Sequence, residues 1–193
     1  RKTKSKGLKL IMRKTVYALS KNLYSQDEIK QLDDQINEKK ESKSFDSPAK
    51  SVLKTSEIEF IKYGSVSQIL SKFMNYCFSA NSKAFGFDLF PVTGDKIMNY
   101  NIYKPGTEYY WHIDAESLNP IRDIKLTAMM NCSDEPYEGG ELVLFKGVEV
   151  KCPEFEIPGS VIVFPSFTNH KVNKVTSGVR KTLALWMWGP KFR

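Results

Sequence analysis

The sequence predicts a mainly β domain with helices at its N-terminal end, of the α+β class. From Gly86 onward, short apolar or alternating segments follow one another at close spacing, with turn residues between them. Before Gly86, apolar residues recur instead at the spacing of helices. Many short, closely spaced strands indicate an antiparallel sandwich or barrel.

The size and composition are those of one folded domain. The chain has 193 residues, of which 41% are hydrophobic and 12% aromatic, enough to bury a core. We therefore expect residues 1–193 to form a single domain, with residues 1–85 as a basic, helical support and residues 86–193 as the β core. No run of about 18 apolar residues occurs, so no membrane-spanning segment and no membrane partner are expected.

The net charge of +7 lies entirely in the N-terminal part of the chain. Residues 1–54 hold 14 Lys and Arg against 7 Asp and Glu, whereas residues 55–193 hold 15 of each kind. A nucleic-acid-binding protein would carry its positive charge around its site. We therefore interpret the N-terminal charge as a solvated tail and loop, with nucleic-acid contact as the minor alternative.

Cysteine usage favours a reducing compartment. The three cysteines are odd in number, widely spaced and form no C-x-x-C motif: Cys77, Cys132 and Cys152. This pattern is typical of free thiols and not of a disulfide framework. We expect a cytoplasmic protein.

Two helices are predicted before the β region. Ser25 and Glu28 form a capping box, in which each side chain satisfies a free backbone N–H at the start of a helix. The helix over residues 26–39 would bury three apolar residues at helical spacing: Ile29, Leu32 and Ile36. A second helix is predicted to begin near Ser65, with a capping box formed by Ser65 and Gln68.

The remaining elements are one loop and six strands. Residues 40–56 are polar and rich in Ser and Lys, which predicts a mobile loop. Glycine or proline turns separate the strands predicted after Gly86. These strands cover residues 96–103, 108–114, 123–131, 141–145, 160–164 and 179–188.

The candidate chemistry lies in the β half. His112 and Asp114 stand two residues apart at the end of a predicted strand, so their side chains leave the same face. His170 follows another strand and is the only other histidine. Two histidines and one carboxylate leave open positions on a metal ion, as in the non-haem Fe(II) oxygenases. Four protein ligands, as in a structural zinc site, would leave none.

A histidine and an aspartate at this spacing are a weak signal alone, and Arg180 strengthens it. Arg180 lies ten residues after His170, across a predicted turn at 176–178, so the two would lie on neighbouring strands. Its guanidinium could pair with the distal carboxylate of an oxo-acid whose other end chelates the metal. A surface salt bridge is the alternative, and it fits an apolar strand less well.

Five segments resemble the signature of the prolyl-4-hydroxylase-type 2-oxoglutarate oxygenases. They are NIYKPG (101–106), WHID (111–114), YEGGEL (137–142), FPSFTNHKV (164–172) and VTSGVR (175–180). The resemblance covers about residues 95–190. It is greatest to the bacterial and phage branch, which places Arg ten residues after the second His, where collagen-type enzymes have Lys.

The resemblance implies a double-stranded β-helix, the cupin-like jelly roll, as the catalytic core over residues 86–193. It assigns an Fe(II) ion to three ligands: His112, Asp114 and His170. It assigns Arg180 and Tyr103 to the distal carboxylate of 2-oxoglutarate. Trp186 and Val172 would line the pocket. Met129 stands where relatives carry Tyr, so a second phenol contact to the co-substrate is lost or replaced.

The implied activity is that of an Fe(II)- and 2-oxoglutarate-dependent dioxygenase. Such an enzyme uses O2 to hydroxylate a substrate C–H, releases succinate and CO2, and can use ascorbate as a reductant. No catalytic group beyond the metal site is implied. The preferred substrate is a prolyl residue of a peptide or protein, over which the 40–56 loop could fold. The alternatives are a free amino acid or other small molecule as the substrate, and a loop without a role.

Two further alternatives have less support. The alkylation-repair oxygenases share Asn101, Tyr103 and Gly106, but they have a second Arg six residues after the first, where this chain has Trp186. A nucleic-acid demethylase is therefore disfavoured. A binding module that has lost catalysis is disfavoured too, because all three metal ligands and Arg180 are present.

Overall fold

The computed structural model describes residues 16–40, 53–115 and 119–192. Within these ranges the chain forms three α-helices and twelve β-strands. The helices are α1 (Gln26–Lys39), α2 (Tyr63–Val66) and α3 (Ser71–Ala80), followed by a π-helical turn at Asn81–Phe85. The strands are β1 (Ala18–Ser20), β2 (Glu57–Lys62), β3 (Ile97–Tyr103), β4 (Tyr109–His112), β5 (Arg122–Asn131), β6 (Glu138–Gly139), β7 (Leu142–Phe145), β8 (Glu149–Lys151), β9 (Val161–Pro165), β10 (Asn169–Val172), β11 (Val175–Ser177) and β12 (Arg180–Pro190).

The strands form antiparallel sheets. The large sheet has six strands in the order β1-β9-β5-β12-β3-β2, and a second sheet has four in the order β4-β10-β7-β8. A third, two-stranded sheet pairs β11 with β6, which ends at Gly139, the first of two consecutive glycines. The prediction of a mainly antiparallel β domain with N-terminal helices is confirmed.

Strand β12 lies inside the large sheet and shows why the core has two parts. It pairs with β5 on one side and with β3 on the other. Successive side chains leave opposite faces of a strand. Leu183, Leu185 and Met187 therefore pack with α1 and α3, while Ala184 packs in a second cluster, which contains residues of both sheets. The apolar alternation of this strand accounts for a layer of helices on one face of the sheet and a candidate site on the other.

The first predicted helix is confirmed, together with its cap. Helix α1 begins at Gln26 and ends at Lys39, and it buries Ile29, Leu32 and Ile36. The Ser25 hydroxyl accepts a hydrogen bond from the Glu28 backbone N–H at 3.3 Å, and the Glu28 carboxylate accepts one from the Ser25 N–H at 3.0 Å. Both halves of the capping box are therefore present.

The prediction for the start of the second helix was wrong. Helix α2 begins at Tyr63, ends after one turn, and is followed by α3; among the described residues neither helix has a side-chain cap. The backbone N–H groups of Tyr63 and Gly64 instead donate to the carbonyls of Lys96 and Gly94, both at 2.8 Å. Backbone partners from a distant loop satisfy the free N–H groups, so Ser65 does not act as a cap.

Two N-terminal strands belong to the large sheet and were not predicted. Strand β1 pairs with β9, and β2 pairs with β3, so these two strands form the sheet's edges. Strands from both sides of the predicted 85/86 boundary therefore share one sheet, and the single domain and its division remain predictions. Residues 41–52, most of the predicted 40–56 loop, lie outside the described residues, as do residues 1–15 of the basic N-terminal part.

The described end of that loop runs beside β4. The backbone N–H of Tyr110 donates to the carbonyl of Leu53 at 2.8 Å, and that of Thr55 donates to the carbonyl of Glu108 at 3.2 Å. Residues 53–55 therefore pair with the outer edge of β4, the strand that carries His112.

All three cysteines lie within the described residues, are buried and form no disulfide, as predicted. In the described ranges, no helix is long and apolar enough to cross a membrane.

Replacing Leu32 by Ala tests whether α1 shares one cooperative core with the sheet. Leu32 is fully buried, so we expect a loss of about 2–5 kcal/mol in the free energy of unfolding, with a single transition retained. Gln31→Ala, at an exposed position of the same helix, is the control and should change stability little. Urea denaturation followed by circular dichroism measures both. A second, separate transition would contradict the single-domain prediction.

Candidate active site

The pairing of two strands brings the predicted metal ligands together. His112 ends β4 and lies directly opposite His170 of β10. Asp114 follows, and its backbone N–H donates to the carbonyl of Ser166 at 2.9 Å, which fixes the chain after the strand. The Asp114 carboxylate oxygens lie 3.7 Å from His112 Nε2 and 3.5 Å from His170 Nε2. The three side chains offer ligand atoms that all lie within 4.8 Å of one another.

Backbone carbonyls fix the orientation of both imidazole rings. His112 Nδ1 lies 2.7 Å from the carbonyl oxygen of Tyr110, and His170 Nδ1 lies 2.9 Å from that of Thr168. A proton on each Nδ1 would donate to these carbonyls and leave Nε2 with a free lone pair toward Asp114, the arrangement usual for histidines that bind a metal. The Thr127 hydroxyl donates to Asp114 Oδ2 at 2.7 Å and holds the carboxylate in place.

The local environment keeps His112 neutral. Burial, followed by the proximity of His170, lowers the pKa of His112 to about 4. Metal binding requires the neutral imidazole. Two imidazoles and one carboxylate whose ligand atoms lie close together fit a divalent cation with open positions, as in the Fe(II) facial triad.

Apart from Arg180, the other residues predicted for the site line one pocket. Tyr103, Met129, Val172 and Trp186 all line it together with the three candidate ligands. Lining residues that were not predicted for this pocket are Lys54, Asn101, Tyr109, Thr127 and Ala184. The pocket therefore combines apolar and aromatic side chains with a few polar and ionisable ones, as is common for small-molecule sites.

Arg180 is fully buried and lies directly opposite Tyr103 in the sheet. Its Nε and Nη2 have no hydrogen-bond partner in the described part of the chain. The Glu156 carboxylate comes only within 3.7 Å of Nε. Because unsatisfied N–H groups on a buried cation are costly, the guanidinium fits a ligand carboxylate such as that of 2-oxoglutarate. Its complete burial excludes the alternative of a surface salt bridge.

Glu156 lies beside this guanidinium and was not predicted for the site. Its two carboxylate oxygens accept hydrogen bonds from the Tyr137 hydroxyl at 2.6 Å and from the Leu142 backbone N–H at 3.1 Å. These bonds fix the carboxylate, so it partly balances the charge of Arg180 and leaves the orphaned N–H groups free for a ligand. A lone Glu near a proline carries no motif that could have predicted this role.

Lys54 and Tyr109 were also missed. The Tyr109 ring stacks on the His112 ring with centroids 3.5 Å apart. Lys54 is only 8% exposed, and burial lowers its pKa to about 8. Lys54 follows a lysine-rich polar segment, where a further lysine gives no signal that it is buried.

Gly140 packs directly against Arg180 and provides a further prediction. Its φ is +69°, and a Cβ added there would lie 2.8 Å from Arg180 Cδ and 2.9 Å from Val175 Cγ2. Gly147 has a similar φ of +76° but open space around a Cβ. We expect both Gly140→Ala and Gly147→Ala to lose about 1–2 kcal/mol of stability from the strained φ.

Only Gly140→Ala should also displace the guanidinium, because only its new methyl group would contact Arg180. Its KM for 2-oxoglutarate should rise about tenfold or more, the effect of losing one charge-assisted hydrogen bond. Steady-state kinetics with thermal denaturation measures both properties. Equal KM values in the two variants would show that Gly140 does not support Arg180.

Comparison with known proteins agrees with this geometry. Residues 98–188 match the model of the 2OG-Fe(II) oxygenase superfamily. A PKHD-type hydroxylase from Stenotrophomonas maltophilia (strain R551-3) is 35% identical over 97 residues, which are 46% of this chain and 41% of that protein. The chain thus spans less than half the length of the curated relatives it matches. The family resemblance stated from the motifs is confirmed.

Two solved structures share the fold over nearly the whole chain. A Pseudomonas putida prolyl-4-hydroxylase superposes with a TM-score of 0.69 at 21% identity, covering 91% of this chain and 94% of the other. A prolyl hydroxylase from Trichoplax adhaerens, in complex with a hypoxia inducible factor peptide fragment, superposes with a TM-score of 0.65 at 15% identity, covering 90% and 84%. The predicted double-stranded β-helix is confirmed.

Proposed function

Because residues 98–188 match the 2OG-Fe(II) oxygenase superfamily, we propose that the chain is an Fe(II)- and 2-oxoglutarate-dependent dioxygenase. One observation carries the proposal. A cluster of His112, Asp114 and His170 lines the pocket that Tyr103 also lines, and Tyr103 lies opposite a buried Arg180 with two N–H groups that lack partners. A dicarboxylate fits both features: one end can chelate the metal, and the carboxylate at the other end can accept hydrogen bonds from Arg180.

Each residue has a distinct task in this proposal. His112, Asp114 and His170 would hold Fe(II), and Arg180 with Tyr103 would bind the distal carboxylate of 2-oxoglutarate. The bound Fe(II) and 2-oxoglutarate supply the oxidation, in which one oxygen atom of O2 enters succinate as CO2 leaves, and the other converts a substrate C–H to C–OH. Ascorbate would serve only as a reductant.

The pocket walls would exclude water from this reaction. Side chains without charge surround the candidate ligands: Met129, Val172, Ala184 and Trp186. Met129 stands where relatives have Tyr, so Tyr103 would be the only phenol from these two positions to reach the co-substrate. Excluding water protects reactive species and strengthens the electrostatic contacts within the pocket.

The substrate we propose is a prolyl residue of a peptide or protein. In support, the similar Pseudomonas putida protein is a prolyl-4-hydroxylase, and the Trichoplax adhaerens structure contains a peptide. A free amino acid or another small molecule remains the second candidate. We do not propose a nucleic-acid substrate, because Trp186 lies in the pocket where nucleic-acid demethylases have a second Arg. The reduced state of the three cysteines supports a cytoplasmic location.

Mass spectrometry of reaction mixtures tests the activity and the substrate separately. The protein, Fe(II), ascorbate and 2-oxoglutarate are incubated with proline-rich peptides or with free amino acids. We expect succinate, together with a mass gain of one oxygen atom on a prolyl residue of a peptide. A gain confined to free amino acids would refute the peptide substrate. The absence of succinate and of 2-oxoglutarate binding would refute the activity.

A further inference from the structure

We propose that Lys54 binds a carboxylate that the oxidised substrate carries on, or next to, the residue that is hydroxylated. This inference rests on the proposed function and names the class of its prime substrate. It starts from an ammonium group that is buried in the candidate active site and forms no ion pair with any residue that the structure describes.

Among the described residues, no charged group pairs directly with Lys54; the carboxylate of the candidate metal ligand Asp114 acts on it only from beyond ion-pair distance. The Lys54 Nζ donates to the Asn101 side-chain carbonyl at 2.8 Å and lies 4.7 Å from the centroid of the Tyr109 ring. An ammonium has three N–H donors, and within the described ranges one of them has a hydrogen-bond acceptor.

The backbone holds this side chain in the pocket. Lys54 forms a β-bridge with Tyr109, and hydrogen bonds from Tyr110 to Leu53 and from Thr55 to Glu108 flank it. The ammonium is therefore fixed and buried, and does not belong to a surface lysine that could turn toward solvent. A buried cation without an ionic partner destabilises the fold, and an anionic ligand would offset that destabilisation.

The position of Lys54 separates it from the site proposed for 2-oxoglutarate. Arg180 lies opposite Tyr103, whereas Lys54 bonds to Asn101, two residues earlier on β3. Two residues of a strand span about 7 Å. Arg180 and the metal would bind the two ends of 2-oxoglutarate, so neither end requires Lys54. Tyr109, which contacts Lys54, also stacks on His112, so the ammonium lies one aromatic ring away from a metal ligand.

This arrangement favours a substrate whose target residue carries a free carboxylate or has an acidic neighbour. A prolyl residue at a peptide C-terminus meets this requirement, as does a free amino acid. An internal prolyl residue flanked by neutral residues does not.

Matched acid and amide probes test the inference. The protein is loaded with Zn(II) and 2-oxoglutarate, which prevents turnover, and binding is measured by isothermal titration calorimetry. The probes are N-acetyl-proline and N-acetyl-prolinamide, a glycyl-proline peptide as acid and amide, and the same pairs for other residues. The variant is Lys54→Met, and the control is Lys104→Met, which removes an exposed lysine paired with Glu57.

We expect wild type and the control to bind at least one acid about tenfold or more tightly than its amide. Lys54→Met should lose this preference, bind 2-oxoglutarate within twofold of wild type, and melt at no lower temperature without ligand, because a buried unpaired charge is gone. No preference for any acid would overturn the inference, as would a tenfold loss of 2-oxoglutarate binding in Lys54→Met. Failure of wild type to bind 2-oxoglutarate would instead overturn the proposed function, and this inference with it.

Discussion

The Arg180→Met variant is expected to lose its 2-oxoglutarate turnover by about 10²- to 10⁴-fold in kcat/KM while keeping its metal. Two charge-assisted hydrogen bonds from Nε and Nη2, at about 1.5–3 kcal/mol each, give this range. Succinate formation measures the loss, and Mn(II) binding followed by electron paramagnetic resonance shows that the metal site persists. Arg180→Lys keeps the charge without the planar guanidinium, so its kcat/KM should lie between those of the wild type and Arg180→Met.

Stability separates this effect from misfolding. Met fills the space of the buried guanidinium but removes the charged neighbour of Glu156, so we expect a lower melting temperature than the wild type with a single folding transition retained in the absence of ligand. The control is Arg122→Met, which removes an exposed arginine on the neighbouring strand β5. This variant should have the same KM for 2-oxoglutarate as the wild type. Unchanged kinetics in Arg180→Met would show that another group binds the co-substrate.

The His112→Ala variant is expected to lose metal binding and, with it, at least about 10³-fold of its succinate formation. The remaining His170 and Asp114 provide only two of the three ligands of a facial triad. Loss of one coordinate bond removes several kcal/mol of binding, and each 1.4 kcal/mol is a factor of ten. Mn(II) or Co(II) titration monitored by calorimetry measures binding, and succinate formation without prime substrate measures turnover.

A milder variant provides the matched comparison, since both histidines of the chain belong to this cluster. Thr127→Val removes only the hydrogen bond to Asp114 and should cost about 10- to 100-fold in metal affinity or activity, as for other outer-shell partners. Equal metal affinity in His112→Ala and wild type would contradict the proposed ligand set. Metal binding without any succinate in the wild type would favour a binding module that has lost catalysis.

Local patterns predicted the features whose determinants are close together in sequence. The capping box of α1 is complete within four residues, and six strands were located by alternation and flanking turns. Arg180 was found from its spacing to His170, but the prediction that the two lie on neighbouring strands was wrong: His170 is on β10 of the four-stranded sheet, and Arg180 is on β12 of the six-stranded sheet. For the cap and the six strands, the physical cause lies within a segment of about ten residues.

Features set by distant contacts could not be predicted in this way. Ser65 does not cap α2 because the carbonyls of Gly94 and Lys96 already accept hydrogen bonds from the backbone N–H groups at the start of that helix. Strand β2 alternates charged and apolar residues over only its first four positions, and its place in the sheet comes from its pairing with β3. Lys54 is buried only because the chain after the polar loop is aligned with β4. Such contacts join residues that are 30 or more positions apart, so no local pattern reports them.

Because side chains alternate between the two faces of β12, the stability of the fold and the selectivity for substrate can evolve separately. Residues 183, 185 and 187 pack under the helices, whereas residues 180, 184 and 186 lie near the proposed chemistry. Variants randomised at the first set should differ mainly in expression level and melting temperature. Variants randomised at 184 and 186 should differ mainly in the compounds that they accept as substrates. A lineage can therefore adapt to a higher temperature or to a new substrate through different positions of this one strand.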